Sequence, residues 1–476
     1  MDRCALLLML GSGVVLGGCN LTPKYTRPAA PVPEEWPSGP AYPGTQKATT
    51  APQALELTWQ DFFADENLQE LIAMALENNR DLRLAALNVE RARALYGIQR
   101  AELLPTVDAT AIASRQRVPA DLSPTGRRAT VEQDSVNLGI FSWEIDFFGR
   151  LRSLKDEALE EYLVTEQGRR SAQILLVSSV ANAYLALAAD QEGLSLAQTT
   201  LVAQQGAYKL VRRGFELGLK PELDVYRAQT QVDAARGDIA RFTQLVAQDE
   251  NALNLLLGAA APDEMLPSGL SAVTPPHEIS PGLSSEVLLR RPDVLQAESL
   301  LRAAYADIGA ARATLFPRIS LTAAVGTASS ELSGLFKSGS GTWSYAPQAA
   351  MPVFDSRAWL ALKVTKVQRE IALTEYEKAI QNAFRDVADA LAARGTVDQQ
   401  VSAQESLVSA VAQAYRLATN RYENGIESYL SVLDAQRSLY AAQQGLVSLR
   451  LAKLASQVRL YAALGGGDSS PELTSP

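Results

Sequence analysis

The sequence predicts a mainly helical chain with a smaller β part, and it predicts that the whole arrangement occurs twice. Three observations carry this. Two stretches, from Gly149 to Lys220 and from Arg357 to Glu423, are free of proline, and in the first Ile174, Val177, Ala181, Tyr184, Leu194, Ala197 and Leu201 follow steps of three, four or seven, as a long packed helix requires. Each is preceded by short-period segments containing Thr, Val and Ile, the mark of strands. Residues also recur at fixed offsets. Leu104-Pro105 returns as Phe316-Pro317, 212 positions on, with Asp81/Asp293, Ala92/Ala304, Arg100/Arg312 and Ala101/Ala313 in register. Tyr208, Leu210, Glu216, Gly218, Leu223, Val225, Ala228 and Gln229 return 207 positions on as Tyr415, Leu417, Glu423, Gly425, Leu430, Val432, Ala435 and Gln436. Helical period alone repeats hydrophobicity but not the places of Tyr, Gly and Gln together, so this is a duplication.

Composition removes most other classes. The 476 residues are 47% apolar and 20% charged, which suits a large core and not a disordered chain. Two cysteines rule out a disulfide scaffold, and a single histidine, His277, leaves no histidine-rich metal site. That histidine lies in the loop Thr274-Pro275-Pro276-His277-Glu278, without the partners that a metal or a catalytic triad needs. No Gly-rich phosphate loop stands between a strand and a helix. A net charge of −9 argues against nucleic acid, because phosphate binding needs surplus cations. It leaves acidic, cation-admitting pores open.

In chain order, residues 1–18 read as an export signal: an uncharged run from Cys4 closes on small residues before Cys19. Residues 19–58 form an N-terminus and an extended tether, since Pro23, Pro28, Pro31, Pro33, Pro37, Pro40, Pro43 and Pro52 forbid helix. The first repeat, 59–258, opens with helical spacing from Leu68 to Leu104, a break at Asn78-Asn79 and Asp81 able to cap the next helix. Strands come next at about 106–118 and 131–146, then a helix of about 65 residues, or roughly 95 Å, a turn near residue 218 and a return helix. A linker, 259–283, leads to the second repeat, 284–464, with strands at about 318–330 and 341–353, a second long helix and a turn near residue 425. Residues 465–476 are a tail.

Burial then demands partners. Four strands cannot close a barrel, and an open sheet in a membrane would leave edge groups unpaired. Three copies would supply twelve strands, an even number within the barrel range. Ile319, Leu321, Ala323 and Val325 alternate with Ser320, Thr322, Ala324 and Gly326, as expected for one lipid-facing and one water-facing side. Trp143, Trp343 and Tyr345 are candidates for an interfacial aromatic girdle, or else ordinary packed strand aromatics. The uncharged run Ser171–Ala189 is too rich in Ser, Gln, Asn and Ala for a lipid span and suits close helix packing. From Leu430 to Tyr461 a coiled-coil seam runs through Leu433, Arg437, Tyr440, Gln444, Val447, Leu451, Leu454 and Val458.

The quoted segments also carry a resemblance. Leu16-Gly17-Gly18-Cys19 resembles a bacterial lipobox, where cleavage leaves an acylated cysteine. PKYTRPAAPVPEEW behind it, WQDFFADENLQELIAMALENNRDLRLAALNVE at 59–90 and WEIDFFGRLRSLKDEALEEYL at 143–163 resemble the outer-membrane factor lipoproteins of tripartite efflux systems. RRPDVLQAESLLRAAYADIGAARATLFPRISL at 290–321 and YLSVLDAQRSL at 429–439 are the most specific. The match is to the OprM-like, NodT-type branch and more distantly to TolC, over nearly the whole chain.

The resemblance implies a homotrimer in the outer membrane, its twelve-stranded barrel continuous with a long periplasmic α-helical barrel. It implies a passive, gated exit duct of a multidrug efflux pump, reached through a periplasmic adaptor (membrane fusion) protein from an inner-membrane drug pump of RND type. It implies no enzyme activity, no cofactor and no metal, only N-acyl (palmitate) and diacylglycerol lipid on Cys19. Gly218 and Gly425 become the periplasmic tip turns. Leu430 and Asp434 become the gate, an apolar and an acidic ring, and their spacing of four puts both on one helix face. Arg437, Tyr422 and Asp224 match positions whose polar links hold the tip closed. Two other readings remain: a duct for exported proteins in type I secretion, and a structural periplasmic coiled-coil lipoprotein, which does not account for the strands.

Overall fold

A computed structural model describes residues 20–43, 57–280 and 284–466. The export signal, Cys19, part of the tether and most of the tail lie outside the described residues. The chain divides into two units. One contains Val89–Thr165 and Gln296–Tyr376 with the N-terminal residues up to Pro28; the other contains Ala29–Asn88, Glu166–Leu295 and the residues from Glu377 onward.

The first unit carries the sheet. Strands β1 (Asp108–Val118), β2 (Ala129–Ile145), β3 (Arg318–Ser329) and β4 (Gly341–Ala350) form one antiparallel meander in chain order, so β1 and β4 are its edges. Cross-strand partners share a face. Leu138 pairs with Val325, which pairs with Trp343; Ile140 pairs with Ala323, which pairs with Tyr345; Ile145 pairs with Ile319. The opposite face holds Asn137, Gly139, Glu144, Ser320, Thr322, Gly326 and Ser344. Over these pairs one face is apolar and the other polar, as the alternation in β3 predicts, while toward the β1–β2 turn the apolar face gives way to Asp134, Glu132, Arg115 and Arg117.

Strict alternation along β2 would fail after Ile140, because Trp143 and Ile145 have the wrong parity. A β-bulge between Ile140 and Trp143 corrects it, setting Trp143 opposite Leu321 on the apolar face. Ser142 takes the left-handed φ of +60° that the bulge needs, and its N–H donates to Thr322 Oγ1 at 3.1 Å. β4 ends at Ala350 and, as an edge strand, accommodates Pro347 opposite Leu321.

Against this unit the N-terminal segment lies along helix α6 (Pro292–Ala313), whose residues from Gln296 belong to the same unit. Tyr25 Oη donates to Glu298 Oε1 at 3.0 Å, Arg27 and Arg302 both pair with that carboxylate, and the Tyr25 ring meets Tyr305 edge-on at 5.5 Å. The Glu298 side chain is 3% exposed. Burial alone would raise its pKa, but the hydrogen bonds from Arg27, Tyr25 and Arg302 outweigh burial and hold it below the usual carboxylate range.

The second unit is helical, and three of its helices, Arg80–Ala101, Arg150–Glu216 and Ser356–Glu423, have part of their length in the first unit. Helices α1 (Trp59–Phe62) and α2 (Glu66–Asn78) lead to α3 (Arg80–Ala101). Asn79 and not Asp81 starts α3: Leu82 N–H donates to Asn79 Oδ1 at 2.9 Å, while Asn79 Nδ2 donates to Leu256 O at 2.9 Å. A single extended residue separates the two helices, so the residue at the break must itself cap α3. Two long helices, α4 (Arg150–Glu216) and α7 (Ser356–Glu423), are answered by α5 (Glu222–Leu257) and α8 (Tyr429–Ala463). Each unbroken run is 67 or 68 residues. Val180, Ala181, Tyr184, Leu185, Leu187 and Ala188 of α4 are buried, and α4 is the one described helix long and apolar enough to cross a membrane. More than half of its most apolar window is inside the protein, which agrees with packing and not with a lipid span. Phe62 stacks on Tyr461 at 4.3 Å and Trp36 on Phe384 at 5.4 Å, tying α1 and the tether to α8 and α7. The seam on α8 is buried at Leu433, Leu454, Val458 and Tyr461 but exposed at Arg437.

Candidate functional site

The two helical hairpins of the second unit end in matching turns. Gly218 has φ +72° and Gly425 φ +75°, a conformation that a Cβ would strain. Gly218 N–H donates to Phe215 O and Leu219 N–H to Gly214 O, both at 2.8 Å. Gly425 N–H donates to Tyr422 O at 3.0 Å and Ile426 N–H to Arg421 O at 2.8 Å. Each pair satisfies carbonyls that a long helix would otherwise leave open, the Schellman arrangement. Pro221 then opens α5 and Ser428 opens α8.

Behind the turns, Val211, Ala228, Ala418, Tyr429, Val432 and Leu433 form a buried cluster flanked by Tyr208, Tyr415 and Tyr422. Tyr208 and Tyr415 are repeated positions of the sequence, and they explain its strictness: the two hairpins pack on each other through equivalent residues. Tyr422 and Tyr429 have ring centroids 5.2 Å apart, and Lys220 Nζ lies 4.0 Å above the Tyr422 ring. Burial first, then the neighbouring Tyr422, Tyr415 and Asp224, pushes the Tyr429 phenol up to about 12, so it stays protonated. The hydroxyls of Tyr422 and Tyr429 are buried without a hydrogen-bond partner among the described residues.

On α8 the side opposite the cluster carries Leu430, 40% exposed, and Asp434. Arg437 Nη2 meets Asp434 Oδ1 at 2.5 Å, one helical turn on, with both side chains 59% exposed. The structure therefore brings Leu430, Asp434 and Arg437 to one exposed strip. Asp224 pairs with Arg227 on its own helix at 3.6 Å, and among the described residues no hydrogen bond or ion pair joins Arg437 to Tyr422 or Asp224. Sequence reasoning missed Lys220 and Tyr429. Tyr429 has no partner at the 207-residue offset, where Glu222 stands, so duplication gave no signal for it. Leu217, Leu219 and Ile426, at the turns themselves, are exposed apolar residues. His277 serves the fold through its main-chain N–H, which donates to Phe62 O at 2.9 Å, and no metal-binding cluster occurs among the described residues.

A sheet with one apolar and one polar face, in a chain of paired long helices with tight glycine turns, defines a channel-forming outer-membrane subunit. Residues 71–259 and 283–466 each match the family model described as outer membrane efflux protein, one match per repeat. The chain belongs to the outer membrane efflux protein family. It is 50% identical to the toluene efflux pump outer membrane protein TtgC of Pseudomonas putida, over 97% of this chain and 96% of the relative. Outer membrane protein OprJ of Pseudomonas aeruginosa is 41% identical over 97% of this chain and 95% of its own length. Among solved structures, the open state of the Neisseria gonorrhoeae MtrE outer membrane channel superposes with a TM-score of 0.84 at 38% identity, covering 94% of this chain and 98% of that one. The chain is an efflux-pump channel component of the outer membrane.

Proposed function

We propose that three copies of this chain close into one gated exit duct for drugs and other small molecules. The observation that carries this is the open four-stranded sheet: β1 and β4 each present an unpaired edge, and one face is apolar. Joining β4 of one copy to β1 of the next, three times, closes a twelve-stranded barrel, pairs both edges and turns the polar face inward. The duct is passive and does no chemistry. An adaptor docks on the apolar turn residues Leu217, Leu219 and Ile426, and an inner-membrane pump of RND type supplies the energy. Cys19 carries the acyl and diacylglycerol anchor.

In this reading Leu430 and Asp434 line the narrowest level of the tip, tripled by symmetry into an apolar and an acidic ring. The buried, unpartnered hydroxyls of Tyr422 and Tyr429 support a tip that rearranges, since each unmet hydrogen bond costs about 1–3 kcal/mol that another arrangement recovers. Tyr422 and Asp224 hold the closed tip through contacts to the neighbouring copy, for which Arg437 is the candidate once it leaves Asp434. The test is native mass together with single-channel conductance in a planar bilayer. A trimer with a small, cation-selective conductance is expected; a monomer without conductance would reject the duct.

A further inference from the structure

The N-terminal segment runs antiparallel to α6 in a stepwise register. Arg27 and Tyr25 meet Glu298, the Tyr25 ring meets Tyr305, Thr22 Oγ1 lies 3.1 Å from Ser153 Oγ, and Arg312 Nη1 donates to Leu21 O at 2.9 Å. Gly309 makes room for this path: a Cβ there would fall 2.1 Å from Thr22 Oγ1. Each step toward the N-terminus is a step toward the C-terminal end of α6. Leu21 is held at Arg312, one residue short of the end of α6, and Asn20 turns back on the chain, its Oδ1 accepting from Thr22 N–H at 2.9 Å. One residue adds at most about 3.6 Å of chain, so the point where the lipid is attached stays close to the C-terminal end of α6.

The residues at that end of α6 border a cavity. It has a volume of about 480 Å³ and lies where β2 ends, β3 begins and β4 ends, with Ala313, Thr314 and Phe316 on its α6 side. Its walls include Phe147, Phe148, Phe316, Ile319, Met351 and Pro352. Phe148 stacks on Phe316 at 4.8 Å. The charged residues at its margin are already matched: Arg150 holds both oxygens of Glu144 at 2.8 Å, Arg318 reaches the same carboxylate at 2.5 Å, and Asp146 is paired with Arg152 at 3.1 Å. A lipid phosphate would have to compete with these pairs. An uncharged hydrocarbon chain would not, and the cavity's size falls in the range of small-ligand sites, about 300–1,000 Å³.

We propose that this cavity is the seat of one acyl chain of the lipid on Cys19, so that the anchor is held by the protein at the root of the sheet and is not simply dissolved in the bilayer. The inference rests on the reading that Cys19 is acylated. Seating an acyl chain would bury the exposed Phe147, Phe316 and Met351 at the cost of no ion pair. It would also make the 20–28 segment a ruler, its length fixed by the Glu298 and Gly309 contacts so that the anchor arrives at the cavity mouth.

The experiment uses the full chain, expressed with a fatty acid that bears a photoreactive diazirine and purified in detergent. The mass of the N-terminal peptide first reports whether Cys19 is acylated. After illumination, a crosslink from that lipopeptide to residues 313–318 or 350–353 is expected, with the product keeping the mass of a single chain. Gly309→Val, which displaces Thr22 without touching the cavity, and Thr314→Trp, which fills it, should each lower the yield at least tenfold while the trimer persists. An acylated Cys19 that crosslinks only to free lipid, or to a second copy and so doubles the mass, would overturn the inference and leave the acylation reading standing. An unmodified Cys19 would overturn both.

Discussion

Gly218 and Gly425, 207 residues apart, hold the same left-handed conformation and close their helices with the same pair of backbone hydrogen bonds. The two turns are therefore one device used twice. Replacing either glycine with alanine should cost about 1 kcal/mol, the penalty for a Cβ at positive φ. Among the described residues nothing lies within 4 Å of the point a Cβ would occupy at either glycine, so strain and not collision sets the cost. Hydrogen exchange should show Leu219 or Ile426 amides opening about fivefold more often, with the sheet unaffected.

On the proposed gate, removing the exposed strip on α8 should open the duct. Leu430→Ala with Asp434→Ala is expected to raise single-channel conductance severalfold. On the proposed gate, Asp434→Ala alone should also weaken cation preference, because each copy loses a carboxylate and leaves its Arg437 without that partner. Unaltered conductance in the double variant would place the constriction elsewhere.

Gly326 in β3 is a packing requirement. A Cβ there would meet Val136 O at 2.1 Å and Asn137 Oδ1 at 2.5 Å. The first of these is backbone and cannot swing away. Gly326→Ala should destabilise the sheet by about 1–3 kcal/mol and lower the recovered trimer, while Gly341→Ala on β4, with open space around it, should not.

The chain should lose stability as pH rises from about 4 to 7. Burial first, then hydrogen bonding and charge from Asp190, pushes the Asp249 carboxyl up to about 6. Burial, then Asp307 and Glu161, pushes Glu157 up to about 7. Unfolded carboxyls release their protons near pH 4, so across this window the native state binds more protons and stability falls with rising pH. Asp249→Asn and Glu157→Gln should each flatten the fall and raise the thermal midpoint at pH 7.5. A midpoint that drops in both would contradict the assignment.

The Glu298 clasp fixes the N-terminal segment. Glu298→Ala removes the shared acceptor of Tyr25, Arg27 and Arg302. The arginines retain solvent, so a loss of about 1–3 kcal/mol is expected. Trypsin should then cut after Lys24 roughly tenfold faster, since about 1.4 kcal/mol corresponds to a factor of ten.

Much of the fold was legible in the residues. Proline-free runs with heptad-like spacing announce α4 and α7, and the alternation from Ile319 to Gly326 announces the two faces of β3. The exposed, adjacent placement of Leu430 and Asp434 comes from a spacing of four on one helix. Three things were hidden for a physical reason. The cap at Asn79 depends on a helix break one residue long, which composition does not distinguish from a break of three. The pairing of Arg437 with Asp434 is a choice among several carboxylates that only coordinates resolve. The clasp at Glu298 joins residues about 270 positions apart through a segment whose prolines reveal extension but not what the segment lies against.

The bulge in β2 makes that strand unequal along its length to changes in residue number. Anywhere else in β2, losing or gaining one residue would exchange the two faces beyond the change, putting apolar side chains toward water and polar ones toward lipid. Between Ile140 and Trp143 the strand already has one residue more than β3 opposite it. A chain lacking Phe141 or Ser142 would pair regularly and keep Trp143 opposite Leu321. Length variation in this strand has a single silent position, and a library of one-residue deletions along β2 should yield membrane-inserted protein only there.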